Sequence, residues 1–347
     1  MNDIRRVLSY NDVLLCPRNS ELEHLSDADI RYDYLGMAGV YPIINAPMDK
    51  VCSPELIHLM DEMNFPTTIH RWFNSVEEQI QFYKDCKLNN ESHCFISVGI
   101  VEKWKDWIDA LIRFQRSEAE TFGFLVDVAN GDTKSAVKTV EYIRTYTNPL
   151  INIMAGNVAT RSGFSRLQEA GANFIRVGIG GGSICSTRLN TGFGVPTLTS
   201  VFDCAKVKEG AYLVADGGIE SVGDICKAMA AGADMVMVGK MLAATSLSSG
   251  EKIDVDGKKF VKYSGMASKE AVEKLKSKKS VISIEGVSGF IPYTGETKEV
   301  LNSIIGNLQS AVAYYAGCRD WEEFKRKVKF LEITSQGWEE SKTRVNL

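Results

Sequence analysis

Eight short apolar runs alternate with amphipathic stretches along this chain, and this alternation constrains the fold more than any other feature. The runs lie at residues 42–46, 67–70, 95–99, 122–128, 150–156, 174–180, 212–217 and 235–239. Continuous apolar segments of this length are typical of parallel strands buried on both faces. Residues 101–118, 132–146, 161–170 and 221–231 have the apolar spacing of helices. This pattern favours an α/β fold, a closed (β/α)8 TIM barrel, over an open doubly wound sheet.

No linker or internal repeat divides the 347 residues, so we expect one barrel domain over residues 1–347. The segment 250–295 departs from the alternation. Its first part predicts a hairpin that turns at Asp256 and Gly257, and we expect the whole segment to be a lid over the barrel mouth. Residues 300–347 are predicted to form helices that close the barrel.

Composition narrows the classes of function. The net charge of −4 and the pI near 5.8 argue against nucleic acid as a partner, since that binding needs a basic face. The lysine-rich run 274–279 is too short to change this. It is predicted to be a solvated loop or helix face, with contact to an anionic ligand as the alternative. No apolar stretch is long enough for a membrane span, and the first residues lack a signal peptide's apolar core, so we expect a cytoplasmic protein.

The eight cysteines form no CxxC pair and are expected to be reduced, and the four histidines form no zinc motif.

Several predicted strands end in polar or glycine residues. These are Asp127, Asn157, the glycines at 180–182, residues 216–218 and Gly239. In a (β/α)8 barrel the carboxyl ends of all strands meet at one face, which is where active sites lie. The barrel therefore predicts that these residues share one site.

The loop at residues 178–188 (GIGGGSICSTR) is the most unusual segment of the chain. Its glycines let the backbone approach a ligand closely, so its carbonyls are suited to a monovalent cation and its amides, with Ser183, to phosphate oxygens. Cys185 lies in this polar setting, where Arg188 and the loop amides favour a reactive thiolate. The loop alone leaves a structural cysteine equally open.

Two further turns follow the seventh and eighth predicted strands. Asp216, Gly217 and Gly218 come first, and Gly239 and Lys240 follow. Loops at these two places often bind phosphate in barrels, and a carboxylate such as that of Asp216 suits two adjacent ribose hydroxyls. The alternative is that both are tight turns that simply require glycine. Together with the cysteine loop, the turns predict a site for a purine mononucleotide.

The chain resembles the inosine monophosphate dehydrogenase and guanosine monophosphate reductase family over nearly its whole length. The matching motifs are NDVLL (11–15), NAPM (45–48), IMAGNV (153–158), the loop at 178–188, ADGG (215–218), SGM (264–266) and EG (285–286). The resemblance implies that Cys185 attacks C2 of the purine and forms a covalent adduct, and that the protein is a homotetramer. It implies substrate binding by Ser183, Asp216, Gly217, Gly218, Gly239, Lys240, Gly265, Met266 and Gly286, and a K⁺ site at Gly180, Gly182, Cys185 and Arg188.

The two branches of the family run different reactions on that adduct. A dehydrogenase passes hydride from IMP to NAD and then hydrolyses the adduct, whereas a reductase expels ammonia from GMP and accepts hydride from NADPH. Dehydrogenases usually carry a regulatory CBS-type module after the second strand, but here only residues 71–94 connect that strand to the third. The Arg-Tyr pair that activates their hydrolytic water has no counterpart between Ser268 and Glu285. The DVANG loop (127–131) has the reductase form.

The resemblance therefore implies an NADPH-dependent GMP reductase. Thr187 and Glu285 match a pair that protonates the departing ammonia, which an amine leaving group requires. The cofactor contacts implied are Arg71, Asp127, Val128, Ala129, Ile179 and Gly180. A dehydrogenase without the module, a reductase of a related purine nucleotide and a catalytically silent nucleotide sensor remain open.

The chain departs from the family pattern at five positions. Gly181 stands where proline is usual, Lys240 replaces the second glycine of a phosphate turn, and Arg71 stands where lysine is usual. Ile282 and Ile284 replace an arginine and a serine before Glu285. These changes leave open which purine nucleotide is the substrate and predict a more mobile cysteine loop.

Overall fold

The computed structural model describes residues 4–89, 92–265 and 288–342. Its central sheet contains eight parallel strands in the order β1-β8-β7-β6-β5-β4-β3-β2. The strands are β1 (Ile43–Asn45), β2 (Thr67–Ile69), β3 (Cys94–Val98), β4 (Gly123–Asp127), β5 (Ile153–Val158), β6 (Phe174–Val177), β7 (Tyr212–Asp216) and β8 (Met235–Val238). The predicted (β/α)8 TIM barrel is confirmed, and each of the eight apolar runs contains or overlaps one strand.

Side-chain hydrogen bonds close the barrel between β1 and β2. The amide of Asn45 accepts from the backbone N–H of Thr68 at 2.7 Å and donates to the carbonyl of Thr68 at 2.9 Å. The hydroxyl of Thr68 donates in turn to the carbonyl of Asn45 at 2.8 Å. The Asn45 side chain therefore takes the place of a backbone ladder at this seam.

Within the part of the chain that the structure describes, eight helices pack around the sheet. They are α1 (Pro54–Glu62), α2 (Val76–Asp85), α3 (Val101–Ser117), α4 (Lys134–Tyr146), α5 (Arg161–Glu169), α6 (Thr197–Ala205), α7 (Val222–Ala230) and α8 (Thr297–Ser310). Five of them begin after a side chain that accepts a hydrogen bond from the first turn, namely Ser53, Ser75, Thr133, Thr160 and Ser221. Such N-caps set where each helix starts and thereby fix the length of the loop between it and the preceding strand.

A hairpin formed by Tyr32–Tyr34 and Met37–Val40 precedes the barrel. Tyr34 packs against Phe174 and Tyr212, and its hydroxyl donates to the carbonyl of Asp234 at 2.5 Å. The inward side chains of the barrel and this hairpin form one buried cluster. The hairpin therefore fills the amino-terminal end of the barrel and leaves the opposite end for a site.

Shorter elements complete the described structure. The strands are Val13–Leu15, Lys252–Val255, Lys258–Ser264, Ser288–Pro292 and Phe330–Glu332, and the helices are Tyr10–Asp12, Leu25–Asp27, Thr187–Thr191, Lys240–Ala243, Ala311–Tyr315, Trp321–Lys327 and Ser335–Glu340. The predicted hairpin turns at Asp256 and Gly257, which both have positive φ. Residues 300–347 were predicted to be helical, but Phe330–Glu332 is a strand because it pairs with Val13–Leu15.

No helix within the described residues has the length and apolar character needed to cross a membrane. All eight cysteines fall in the described ranges and are free thiols. Six of them are buried, and Cys16 and Cys185 are partly exposed. The lysine-rich run 274–279 lies outside the described residues.

Candidate active site

A cavity of about 340 Å³ opens at the carboxyl ends of the barrel strands. The predicted strand-end residues line it together, namely Asp127, Asn157, Gly180, Gly181, Gly182, Asp216, Gly217, Gly218 and Gly239. Ser183, Cys185, Thr187, Arg71, Val128, Ala129, Ile179, Lys240 and Gly265 also line it. Met266, Glu285 and Gly286 lie outside the described residues, as do Ile282 and Ile284. The volume and the mixture of apolar walls and convergent polar groups are those of a small-molecule site.

Two parts of the cavity differ in construction. We call residues 178–185, 216–218 and 239 the glycine half, and Arg71, Trp72, Asp127, Val128, Ala129 and Arg176 the charged half. The glycine half follows β6, β7 and β8, and the charged half follows β2 and β4 with one residue from β6.

The Cys185 thiol faces a hydroxyl group in the glycine half. Its Sγ lies 3.2 Å from Oγ1 of Thr187, and its backbone N–H donates to the carbonyl of Gly182 at 3.0 Å. Cys185 is partly exposed, unlike the six buried cysteines, so a ligand in the cavity can reach it. A thiol beside a hydroxyl at an open surface can act as a nucleophile with a proton donor next to it.

Backbone contacts hold the loops of the glycine half together. Gly178 has φ of +147°, and a Cβ there would lie 1.8 Å from the carbonyl oxygen of Asp216. Gly217 has φ of +91°, and a Cβ there would lie 3.1 Å from the carbonyl carbon of Gly181. Glycine is required at both positions because the two loops touch through their backbones. The glycine-rich sequence thus brings the cysteine loop onto the turn after β7.

A chain of ion pairs crosses the mouth of the barrel and begins in the charged half. Nε of Arg71 lies 3.3 Å from the carboxylate of Asp127, and Arg176 donates to Asp127 at 2.6 Å. Arg176 also donates to Oδ2 of Asp216 at 2.8 Å, and the amide of Asn157 donates to the same oxygen at 2.7 Å. Burial opposes ionisation of Asp127, but Arg176 and Arg71 outweigh it and hold the pKa of Asp127 below its usual value.

The Arg71 guanidinium is held between aromatic rings. Its central carbon lies 4.3 Å from the ring centre of Trp72 and 5.7 Å from that of Trp104. Trp104 in turn lies over Gly99, where a Cβ would approach its indole within 2.4 Å. Cation–π contacts of this kind fix the direction of the side chain. Arg71 thus presents a positioned positive charge at the cavity wall.

The turn after β8 carries an ion pair and lies next to the buried phenol of Tyr263, which belongs to the strand Lys258–Ser264. Nζ of Lys240 lies 3.1 Å from Oε1 of Glu220, which belongs to the turn after β7. The hydroxyl of Tyr263 points at Gly239, because a Cβ on Gly239 would lie 3.0 Å from it. Tyr263 is buried, and burial raises the pKa of its phenol well above the usual value. The phenol therefore stays protonated as a hydrogen-bond donor at neutral pH.

The residues predicted to hold a monovalent cation lie on one loop. The carbonyl of Gly182 accepts from the N–H of Cys185, and that of Arg188 accepts from Gly192, each at 3.0 Å. The Arg188 guanidinium donates to the carbonyl of Val195 at 2.7 Å. Among the residues that the structure describes, no cluster of His, Cys, Asp and Glu side chains is suited to a metal ion. Any cation here would therefore depend on carbonyl oxygens, each of which has a second lone pair to offer.

The sequence did not predict that Arg176, Trp72 and Tyr263 line the cavity. Arg176 had a signal, because it is a charged residue in the middle of the apolar run FIRVGIG. A charge in a buried strand implies buried partners, which are here Asp127 and Asp216. Tyr263 had no comparable signal, since it reaches the cavity only because the hairpin returns to the barrel.

Known proteins match this chain over the residues that form the barrel and the described cavity wall. The family model described as IMP dehydrogenase / GMP reductase domain matches residues 7–344. GMP reductase from Vibrio atlanticus (strain LGP32) is 32% identical over 339 residues, which are 95% of this chain and 95% of that protein. GMP reductase 2 from Homo sapiens is 33% identical over 346 residues, 96% of each chain.

A relative from the other branch matches a shorter region. Inosine-5'-monophosphate dehydrogenase from Bacillus subtilis (strain 168) is 40% identical over 232 residues, which are 65% of this chain and 47% of that protein. The family match spans the whole barrel and every described residue of the cavity. The family predicted from the motifs is confirmed, and the chain belongs to the IMP dehydrogenase / GMP reductase family.

Proposed function

We propose that this protein is a GMP reductase that converts GMP to IMP and ammonia with NADPH as the reductant. The observation that carries the proposal is the 3.2 Å contact between the Cys185 thiol and the Thr187 hydroxyl inside the strand-end cavity. The predicted enzyme class, an oxidoreductase of the GMP reductase type, agrees with curated relatives that match along 95% of the chain.

The reaction begins with nucleophilic attack. The Cys185 thiolate adds to C2 of the purine, which makes a C–S bond and turns C2 tetrahedral. The C2–N2 bond then breaks, and the amine leaves as ammonia after it receives a proton. Thr187 is adjacent to the thiol, so its hydroxyl is well situated to pass that proton from an acid. We assign the acid to Glu285, which lies outside the described residues.

Reduction completes the cycle. When bound, NADPH supplies the hydride that C2 receives. The C–S bond then breaks, IMP leaves, and Cys185 returns to the thiolate. The charged half supports this assignment, because Val128 and Ala129 give an apolar wall beside the positioned Arg71. Nε1 of Trp72 is buried and has no hydrogen-bond partner within the described chain, so it can donate to a bound group.

The glycine half supports a purine mononucleotide as substrate. We assign the ribose hydroxyls to Asp216, whose two hydrogen bonds from Arg176 and Asn157 both go to Oδ2. We assign the phosphate to the turns that contain Gly217, Gly218 and Gly239, and Ser183, Lys240 and Gly265 line the same cavity. Met266 and Gly286 complete the proposed set and lie outside the described residues. We also propose a K⁺ site at Gly180, Gly182, Cys185 and Arg188, a cytoplasmic location and a homotetramer.

An IMP dehydrogenase without the regulatory module is the second candidate. It is favoured by the 40% identity to the B. subtilis dehydrogenase. Against it, the connection from β2 to β3 spans only residues 70–93 and its one described helix is α2. The sequence also lacks the Arg-Tyr pair that would activate water. A reductase needs no such water, so the absence of this pair fits a reductase.

The absorbance of the reduced nicotinamide distinguishes the two candidates. We expect NADPH to be consumed only when GMP is present, and turnover to fall by at least about a thousandfold in Cys185→Ala. Cys16→Ala is the matched control, because Cys16 is the other partly exposed cysteine, and it should retain full activity. NADH production from IMP and NAD would identify a dehydrogenase instead. No turnover in either direction, with GMP still bound, would identify a nucleotide sensor.

A further inference from the structure

The ion pair between Lys240 and Glu220 lies between the two turns assigned to phosphate. Lys240 directly follows Gly239 at the end of β8, and Glu220 lies two residues after Gly218 at the end of β7. Both side chains line the cavity, and their charged atoms are 3.1 Å apart. The pair therefore links the two loops where (β/α)8 barrels most often bind phosphate.

This pair is weak enough to exchange partners. The side chains of Lys240 and Glu220 are 37% and 53% exposed. Ion pairs with this exposure contribute about 0–1 kcal/mol, because water screens the charges and both side chains lose freedom. A phosphate carries more charge than a carboxylate and offers several acceptor oxygens to an ammonium group. A phosphate at this place can therefore replace Glu220 as the partner of Lys240.

We propose that Glu220 and the substrate phosphate compete for the ammonium group of Lys240. This inference rests on the proposed function, since it requires a nucleotide phosphate between the turns after β7 and β8. Lys240 is then a specificity-determining residue. A nucleotide releases Lys240 from Glu220 and gains a charged hydrogen bond, whereas a nucleoside leaves the pair intact and gains nothing.

The turn itself indicates why a side chain is needed there. At Gly239 a Cβ would lie 3.0 Å from the Tyr263 hydroxyl, so a side chain at this position would crowd the phenol. The position of Lys240, a second glycine in the family pattern, carries a side chain that can reach across to the neighbouring loop. Lys240 thus adds a positive charge to a site otherwise formed by backbone groups, the Ser183 hydroxyl and one phenol, and Glu220 sets how much of that charge is free.

Equilibrium binding separates this competition from other roles. Calorimetric titration of GMP into the full-length Cys185→Ala protein avoids turnover, and the same background carries each further variant. We expect Lys240→Met to weaken GMP binding about tenfold, as for loss of a charged hydrogen bond. Glu220→Gln should tighten it about two- to fivefold, because Lys240 is released. The double variant should match Lys240→Met alone, since no lysine remains for Glu220 to restrain.

Guanosine, Lys206→Met and steady-state kinetics are the controls. Binding of guanosine should be the same in all variants, because it has no phosphate. Lys206→Met removes the same charge from a pair with Asp203 outside the cavity lining and should leave GMP binding unchanged. In the enzyme with Cys185 intact, Lys240→Met should raise KM for GMP with kcat within about twofold of wild type, as expected for uniform binding.

Two results would overturn the proposal: unchanged GMP binding in Lys240→Met, or weaker binding in Glu220→Gln. Binding that depends on Lys240 without any NADPH consumption would leave this inference standing and refute the proposed reaction. Absence of GMP binding to the parent protein would refute both.

Discussion

The glycine half and the charged half of the cavity achieve their geometry in opposite ways. In the glycine half the loops after β6 and β7 touch through their backbones, and at Gly178 a single Cβ would overlap a carbonyl oxygen of the next loop. In the charged half, long side chains from β6 and from the ends of β2 and β4 cross the barrel mouth and meet as ion pairs. One half is therefore limited by space and the other by charge balance.

This difference predicts how each half responds to substitution. A close backbone contact is disrupted when a Cβ is added at the glycine. Removing the atom that the new Cβ would contact should restore the packing. A buried ion pair fails when one partner is removed, because the remaining charge is left without compensation. The free energy of unfolding should therefore respond most strongly to loss of a buried charge, less to an added Cβ and least to acid pH.

Arg176→Met should have the largest effect. Arg176 is 6% exposed and pairs with both Asp127 and Asp216, so its loss leaves two carboxylates without their shared partner. Removing one partner of a buried pair costs about 3–5 kcal/mol of unfolding free energy. Urea unfolding at pH 7 measures this loss.

The conservative variant Arg176→Lys serves as the control. Lysine retains the charge but not the planar fork that reaches two carboxylates. Arg176→Lys should therefore lose less unfolding free energy than Arg176→Met. A loss below about 1 kcal/mol in Arg176→Met would mean that solvent already compensates Asp127 and Asp216, and the charged half would then resemble an exposed surface.

The fold was largely predictable because its determinants are local. Most barrel strands are short, mainly apolar runs, and five helices start at Ser or Thr N-caps. The hairpin of Tyr32–Tyr34 and Met37–Val40 was not predicted, since its strands are only three and four residues long. Its inward side chains are stabilised by the barrel interior, where Tyr34 packs against Phe174 and Tyr212. The strand at Phe330–Glu332 depends in the same way on a partner more than 300 residues away in sequence, at Val13–Leu15.

The site likewise contains residues that the local sequence predicted and residues that depend on distant partners. Gly178, Gly217 and Gly218 were visible in the sequence because positive φ and close backbone contact demand glycine. The ion pairs of Arg176 were not, because a sequence does not say which carboxylates a buried arginine will meet. Nor did the sequence indicate that Lys240 would pair with Glu220 across two loops.

Gly181→Ala tests the glycine half and should have an intermediate effect. Gly181 does not have positive φ, so alanine meets only a steric limit there. Its Cβ would lie 2.4 Å from Oγ1 of Thr197, a buried hydroxyl without a hydrogen-bond partner among the described residues. Added volume of this kind costs about 1–3 kcal/mol of unfolding free energy.

The double variant Gly181→Ala/Thr197→Ala removes the opposing oxygen and should recover most of that loss. Measured by urea unfolding, a double variant as unstable as Gly181→Ala alone would show that space is not the limiting factor in this loop. Recovery would also explain why glycine replaces the family's usual proline. The residue at 181 is then set by Thr197, and the expectation of a more mobile loop would lose its basis.

Acid pH should give the smallest effect, and it should act on the charged half. His70 precedes Arg71, and burial lowers the pKa of its imidazole to about 4. Its Nδ1 accepts a hydrogen bond from the backbone N–H of Trp72 at 3.1 Å, which requires the neutral ring. An unfolded histidine binds a proton near pH 6.5. As the pH falls below that value, the unfolded state takes up a proton that the folded state does not, so stability is lost between about pH 7 and pH 4.

The expected loss from His70 is about 1 kcal/mol of unfolding free energy between pH 7 and pH 5.5. His70→Asn keeps a hydrogen-bond acceptor near the position of Nδ1 but does not titrate, so its stability should depend less on pH by that amount. The measurement compares the change in unfolding free energy between pH 7 and pH 5.5 in the wild type with the same change in His70→Asn. It is therefore independent of what the variant loses by no longer stacking on Phe73, whose ring centre lies 4.3 Å away. Equal pH dependence in the two proteins would mean that His70 titrates normally, and that water reaches the charged half beneath Arg71.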